Sequence, residues 1–126
     1  MPTYYRADDK PVVQFDPQIE IAPFVLFRRL REGRAPLLVD IRSEPSDLTF
    51  EGSVRVSISD WEPDEETETV LFDDNGDEAV RFARKLQEKG FSGVKALFGG
   101  LQLYEFALDP EALGEQTFLV RGTQES

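Results

Sequence analysis

A run of six residues, Asp73-Asp74-Asn75-Gly76-Asp77-Glu78, offers five polar side chains able to do chemistry at close spacing. Carboxylates placed before a helix have three uses. Asp73 or Asp77 can accept hydrogen bonds from the first free N–H groups of the helix that follows, a cap that contributes about 0.5–2 kcal/mol. The alternation Asp73, Asn75, Asp77 also looks like the opening of a calcium loop. The rest of such a loop is missing, because Glu78 stands at the glycine position and Arg84 at the final glutamate position. A helix N-terminus also disfavours a cation. Covalent chemistry, such as an aspartyl phosphate on Asp73, needs a metal and a positioned cation, and neighbouring sequence supplies neither. The cap is the favoured reading, and no metal and no cofactor are expected.

The chain contains no Cys and no His. It therefore has no thiolate nucleophile, no disulfide and no imidazole base, and no Ser–His–Asp or Cys–His device can be built from it alone. Its length of 126 residues suits one domain. The net charge of −11 repels phosphate backbones and anionic lipid, so neither nucleic acid nor membrane is an expected partner. The charge serves solubility in the plainer reading and docking to a basic partner in the sharper one. No apolar h-region opens the sequence and no apolar run reaches the roughly 20 residues of a membrane span. A soluble, cytoplasmic protein is expected.

Apolar periodicity supplies the elements that must hold the acidic loop. Met1–Lys10 reads as a polar arm and Pro11–Phe15 as a short edge strand. A short strand is expected within Gln18–Ile21 and a helix over Pro23–Glu32, with Phe24, Phe27, Leu30 and Leu26 as its apolar stripe and Gly33 ending it. Leu37–Ile41 and Thr69–Phe72 read as buried parallel strands and Val54–Ile58 as a half-buried one, while Ser43–Gly52 is polar and turn-rich. Asp77–Lys89 is amphipathic with acidic residues first and basic residues last, matching the helix dipole. Val94–Phe98 is the next strand, Leu101–Leu108 the next helix, and Thr117–Val120 a peripheral strand. Strands alternating with helices predict a largely parallel sheet covered on both faces.

From about Ile19 to Leu108 this order resembles the rhodanese-like domain. Pro36-Leu37-Leu38-Val39-Asp40-Ile41-Arg42 is similar to that family's first core strand with its Asp-x-Arg ending, and Glu51-Gly52-Ser53-Val54 to its Gly-His-Ile segment. Gly90-Phe91-Ser92-Gly93-Val94-Lys95-Ala96-Leu97-Phe98-Gly99-Gly100 is similar to its strand closing in a Gly-Gly turn. The resemblance implies an α/β fold with a central, mostly parallel five-stranded sheet and helices on both faces. It divides the chain into an arm or edge strand (1–17), a rhodanese-like domain (18–110) and a C-terminal extension (111–126).

It also implies that the loop after Thr69–Phe72 is the family's active-site loop, where a cysteine opens a cradle of backbone N–H groups at a helix N-terminus. Asp73 falls at the cysteine position and Ser53 at the usual histidine position. Asp73, Asp74, Asn75, Gly76, Asp77 and Glu78 then form a vestigial loop, with Asp73 as a built-in anion, and Asp40 and Arg42 are a structural pair. The expectation is a domain inactive as a sulfurtransferase that serves protein interaction or regulation. The alternative is an accessory subunit of a sulfur-transfer system whose reactive cysteine comes from a partner. The Arg28, Arg29, Arg31, Arg34 cluster reads as a solvated helix end that could instead meet a second copy, giving a homodimer. Tyr4, Tyr5 and Phe15 are expected to pack on the domain or on a second subunit. Trp61 reads as a buried plug rather than an exposed anchor.

Overall fold

The computed structural model describes residues 15–43, 48–57, 59, 61–64, 66–109, 113–114 and 117–121. In chain order the elements are β1 (Glu20–Ile21), α1 (Pro23–Arg31), β2 (Leu37–Asp40), β3 (Leu48–Phe50), β4 (Val54–Arg55), β5 (Thr69–Phe72), α2 (Asp77–Glu88), β6 (Val94–Leu97), α3 (Gly100–Ala107) and β7 (Leu119–Arg121). Five strands form one sheet in the order β1-β6-β5-β2-β4, and every neighbouring pair is parallel. β3 and β7 make a separate antiparallel pair, Leu48 opposite Arg121 and Phe50 opposite Leu119.

The helices divide between the faces because successive strand residues point to opposite sides. Leu38, Val70, Phe72 and Leu97 point to the side of α1 and α3, where they pack with Leu26, Phe27, Leu101 and Tyr104. Val39, Leu71, Val94 and Ala96 point to the other side and meet Ala79, Ala83 and Leu86 of α2. β5 is central and buried along its whole length, as a strand covered on both faces must be. Gly33 and Gly90 follow α1 and α2 with φ of 76° and 108°, the left-handed conformation that ends a helix.

Several expectations are corrected. The buried side of α1 carries Pro23, Leu26 and Phe27 with Leu30 packed beside them, whereas Phe24 is exposed. Of the strand expected over Val54–Ile58, β4 takes in Val54 and Arg55, both exposed because it is the outer strand of the sheet, and Ile58 lies outside the described residues. The segment read as polar and turn-rich contains β3, whose Phe50 is buried against Phe72 and Tyr104 with ring centroids 5.1 and 4.7 Å away. The strand expected over Pro11–Phe15 lies outside the described residues except for Phe15, which is not in a strand. Trp61 is half-buried and packs against the α2 core. Arg29 of the arginine cluster is not merely solvated, since its guanidinium reaches Glu68 before β5 at 3.0 Å. Among the described residues no helix is long and apolar enough to cross a membrane.

Candidate functional site

β5 and β6 both end at the same edge of the sheet and both lead into helices through glycines in left-handed conformation, Gly76 (φ 91°) before α2 and Gly99 (φ 75°) before α3. Neither glycine has a side chain with which to cap its own helix, so the first N–H groups need other acceptors. At α2 these come from the loop itself. One oxygen of the Asp73 carboxylate accepts from the Gly76 N–H at 2.6 Å. The other accepts from Glu78 at 2.9 Å and Ala79 at 3.2 Å. The Asn75 side-chain oxygen accepts from Asp77 at 3.0 Å. Every N–H from Gly76 to Ala79 is thus met by a side-chain oxygen of the preceding turn.

The Asp73 side chain is turned inward and buried. Burial pushes its carboxyl above the usual aspartate range, while the N–H bonds from Gly76, Ala79 and Glu78 pull the other way. The same residue also serves α3, where its carbonyl accepts from Leu101 at 2.9 Å and the carbonyl of Asp74 accepts from Gln102 at 2.9 Å. The two loops touch so closely that a Cβ on Gly100 would stand 2.5 Å from the Asp74 carbonyl carbon, and Gly100 has φ of 66°. Only glycine fits there.

Asp40 and Arg42 frame the other side. Arg42 grips Asp40 through two hydrogen bonds, Nε–Oδ1 at 2.9 Å and Nη2–Oδ2 at 2.8 Å, and both side chains are buried. Arg42 also donates to the Leu48 carbonyl at 2.9 Å and pairs with Asp74 at 3.0 Å, and its guanidinium lies 5.8 Å from the Phe72 ring centre. One buried cation thus ties the end of β2 to β3 and to the acidic loop. Its hydrogen bond to Asp40 raises its pKa further, so it remains charged. The hydroxyl of Ser53 is spent within the turn after β3, donating to the Phe50 carbonyl at 2.9 Å and lying 3.1 Å from the Thr49 hydroxyl.

Between these groups lies an open cleft of about 590 Å³ whose wall carries Arg42, Ser43, Asp74, Asp77, Glu78 and Arg81. Asp73 lines it too, but both its oxygens are directed at the backbone of α2. Asp73 and Asn75 spend their oxygens on N–H groups, and among the described residues no three acidic side chains are placed to hold a metal ion. The structure thus brings together Asp73 to Glu78 with Asp40 and Arg42. It adds two participants that the sequence reading left out, Arg81 one turn into α2 and the Arg42–Asp74 pair. The first had a signal, being four residues beyond Asp77 on the same helix; the second had none, since its partners are 32 residues apart.

Among solved structures, a rhodanese-related protein from Thermoplasma volcanium superposes with a TM-score of 0.61 at 17% identity, over 81% of this chain and 97% of that one. The rhodanese-like domain of a protein from Anabaena sp. gives 0.63 at 21% identity, over 89% and 83%. A thiosulfate sulfurtransferase from Pseudomonas aeruginosa gives 0.59 at 22% identity, over 83% of this chain and 20% of its own. The fold is rhodanese-like. No family model and no curated protein matches the sequence. On this rhodanese-like framework Asp73 stands immediately after β5 and ahead of α2, at the head of the loop where the resemblance set the family's cysteine. The chain itself holds no cysteine to put there.

Proposed function

We propose that this chain is a rhodanese-like domain without sulfurtransferase activity, whose work is to bind a protein partner. The observation that carries the reading is the Asp73 carboxylate seated on the N–H groups of Gly76, Glu78 and Ala79. A helix N-terminus with free N–H groups attracts anions and stabilises a thiolate. Here those donors are already saturated by a fixed anion of the chain. A carboxylate cannot carry a persulfide, and on the cleft wall Asp74, Asp77 and Glu78 outnumber Arg42 and Arg81, which disfavours an approaching thiosulfate or phosphate. The fold around the loop is nonetheless complete, with its buried ion pair and both helix starts satisfied, which suits a scaffold kept for its surface. Purified protein incubated with thiosulfate and cyanide is expected to give no thiocyanate above the protein-free rate. Robust turnover proportional to protein concentration would overturn the reading.

A further inference from the structure

The outer side of α2 carries a feature that begins at Arg81, on the wall of the acidic cleft, and continues beyond it. Arg81, Lys85 and Lys89 recur every four residues and all three are exposed. They form a line of cations on one side of a helix in a chain whose net charge is −11. Along the Lys85–Lys89 end of this line lies a cleft of about 500 Å³ walled by Trp61 and Phe82, with Lys85, Lys89 and a single carboxylate, Glu62, at its edge. The two aromatic side chains are half-buried against the core that includes Ala83 and Leu86, so they are fixed walls. The Lys85 ammonium sits 5.6 Å from the Phe82 ring centre. Lys89 makes a long pair with exposed Glu62 at 3.4 Å, a contact that a better acceptor displaces at little cost.

We propose that this side of α2 docks an extended acidic segment of a partner protein. The spacing favours that chemistry. Cations four residues apart on a helix are separated by about 6 Å along its axis. Side chains on one side of an extended strand repeat every 6.6–6.8 Å or so. Alternate carboxylates of an extended peptide therefore stay in step with Arg81, Lys85 and Lys89. Beside Lys85 and Lys89 an apolar side chain of the segment enters the cleft between Trp61 and Phe82. Aromatic walls with flanking charges make good anchor pockets. A nucleic acid fits less well, because its polymer of phosphates meets the repulsion of the whole acidic surface, whereas a short segment with three carboxylates meets mainly the local line of cations.

The proposal rests on reading the chain as a binding module and names the surface and partner class that the module uses. The sulfurtransferase assay does not touch it, so the two fail separately. Trp61 is the single tryptophan, and its emission reports on the cleft. The test titrates the peptide acetyl-Glu-Ala-Glu-Phe-Glu-amide into the full chain, followed by tryptophan fluorescence and by calorimetry. Saturable binding that weakens with added salt is expected, and none with the peptide carrying Gln for Glu. Lys85→Gln should weaken binding by up to about fivefold, the range of one exposed ion pair. Reversing all three charges (Arg81→Glu, Lys85→Glu, Lys89→Glu) should abolish it while the circular dichroism spectrum is unchanged. Three results would overturn the proposal: no heat and no emission change at millimolar peptide, equal binding of the Gln peptide, or undiminished affinity in the triple variant. Tighter binding of a single-stranded oligonucleotide would also overturn it.

Discussion

The starts of α2 and α3 lie side by side at one edge of the sheet and meet the same requirement with different groups. Each follows a left-handed glycine, and each must find acceptors for N–H groups that have no earlier turn of helix to bond to. α2 uses side chains, the Asp73 carboxylate and the Asn75 amide oxygen. α3 uses the backbone, the carbonyls of Asp73 and Asp74. A backbone acceptor survives any substitution that leaves the chain path intact, whereas a side-chain acceptor can be exchanged for other chemistry. The start of α2 is therefore where this fold can change its function without losing its shape, and the start of α3 is where it cannot.

The contrast can be broken most severely at Gly100. Gly100→Ala puts a methyl group against the Asp74 backbone and forces a left-handed φ on an L-residue. A loss of about 2–5 kcal/mol in urea unfolding is expected, combining roughly 1–2 for the conformation and 1–3 for the overlap. Asp73→Ala should cost about 1–3 kcal/mol, the range for losing a charged cap. Its signature is local: amide hydrogen exchange speeds up at Glu78 and Ala79 and stays slow at Leu101 and Gln102. Equal loss of protection at both helices would mean that they do not have separate acceptors. Asp74→Ala removes only an exposed partner of Arg42 and leaves its carbonyl on Gln102, so the expected loss is at most about 1 kcal/mol.

The smallest effect is the pH dependence of Asp73. Its folded carboxyl titrates above the ordinary aspartate range because it is buried, so the folded state holds the proton more tightly than the unfolded one. Its contribution to stability is therefore greatest below that range and declines as pH rises through the raised folded value. Stability of the natural protein relative to Asp73→Asn should fall across that window and then level off. A relative stability that rises with pH would show the three N–H bonds outweighing burial.

Much of the framework was legible because it is local. The run Thr69–Phe72 is apolar without interruption because both its faces are covered, and Ala79, Ala83 and Leu86 keep helical spacing because one side of α2 meets the sheet. The acidic loop was legible as a cap for the same reason, since Asp73 and the N–H groups it meets lie within six residues. What escaped depends on distant partners. Leu48–Phe50 is too short to show a period, and the strand that completes it lies some seventy residues later. Phe24 and Phe27 look equivalent in the sequence, yet only Phe27 faces the core, because Pro23 occupies the buried position at the start of the turn. Of the line of Arg81, Lys85 and Lys89, only the two lysines were visible, as charge near the end of a helix; their nearness to Trp61 needed the fold.

The pairing of β7 with β3 gives the far end of the chain a hold on the interior. Phe118 and Leu119 pack on the cluster that contains Phe50, and the buried Tyr104 hydroxyl donates to the Thr117 carbonyl at 2.7 Å. A protein cut short before Thr117 would leave that phenol without its acceptor and strip Phe118 and Leu119 from the cluster around Phe50, so the interior is sealed by residues that follow the last helix.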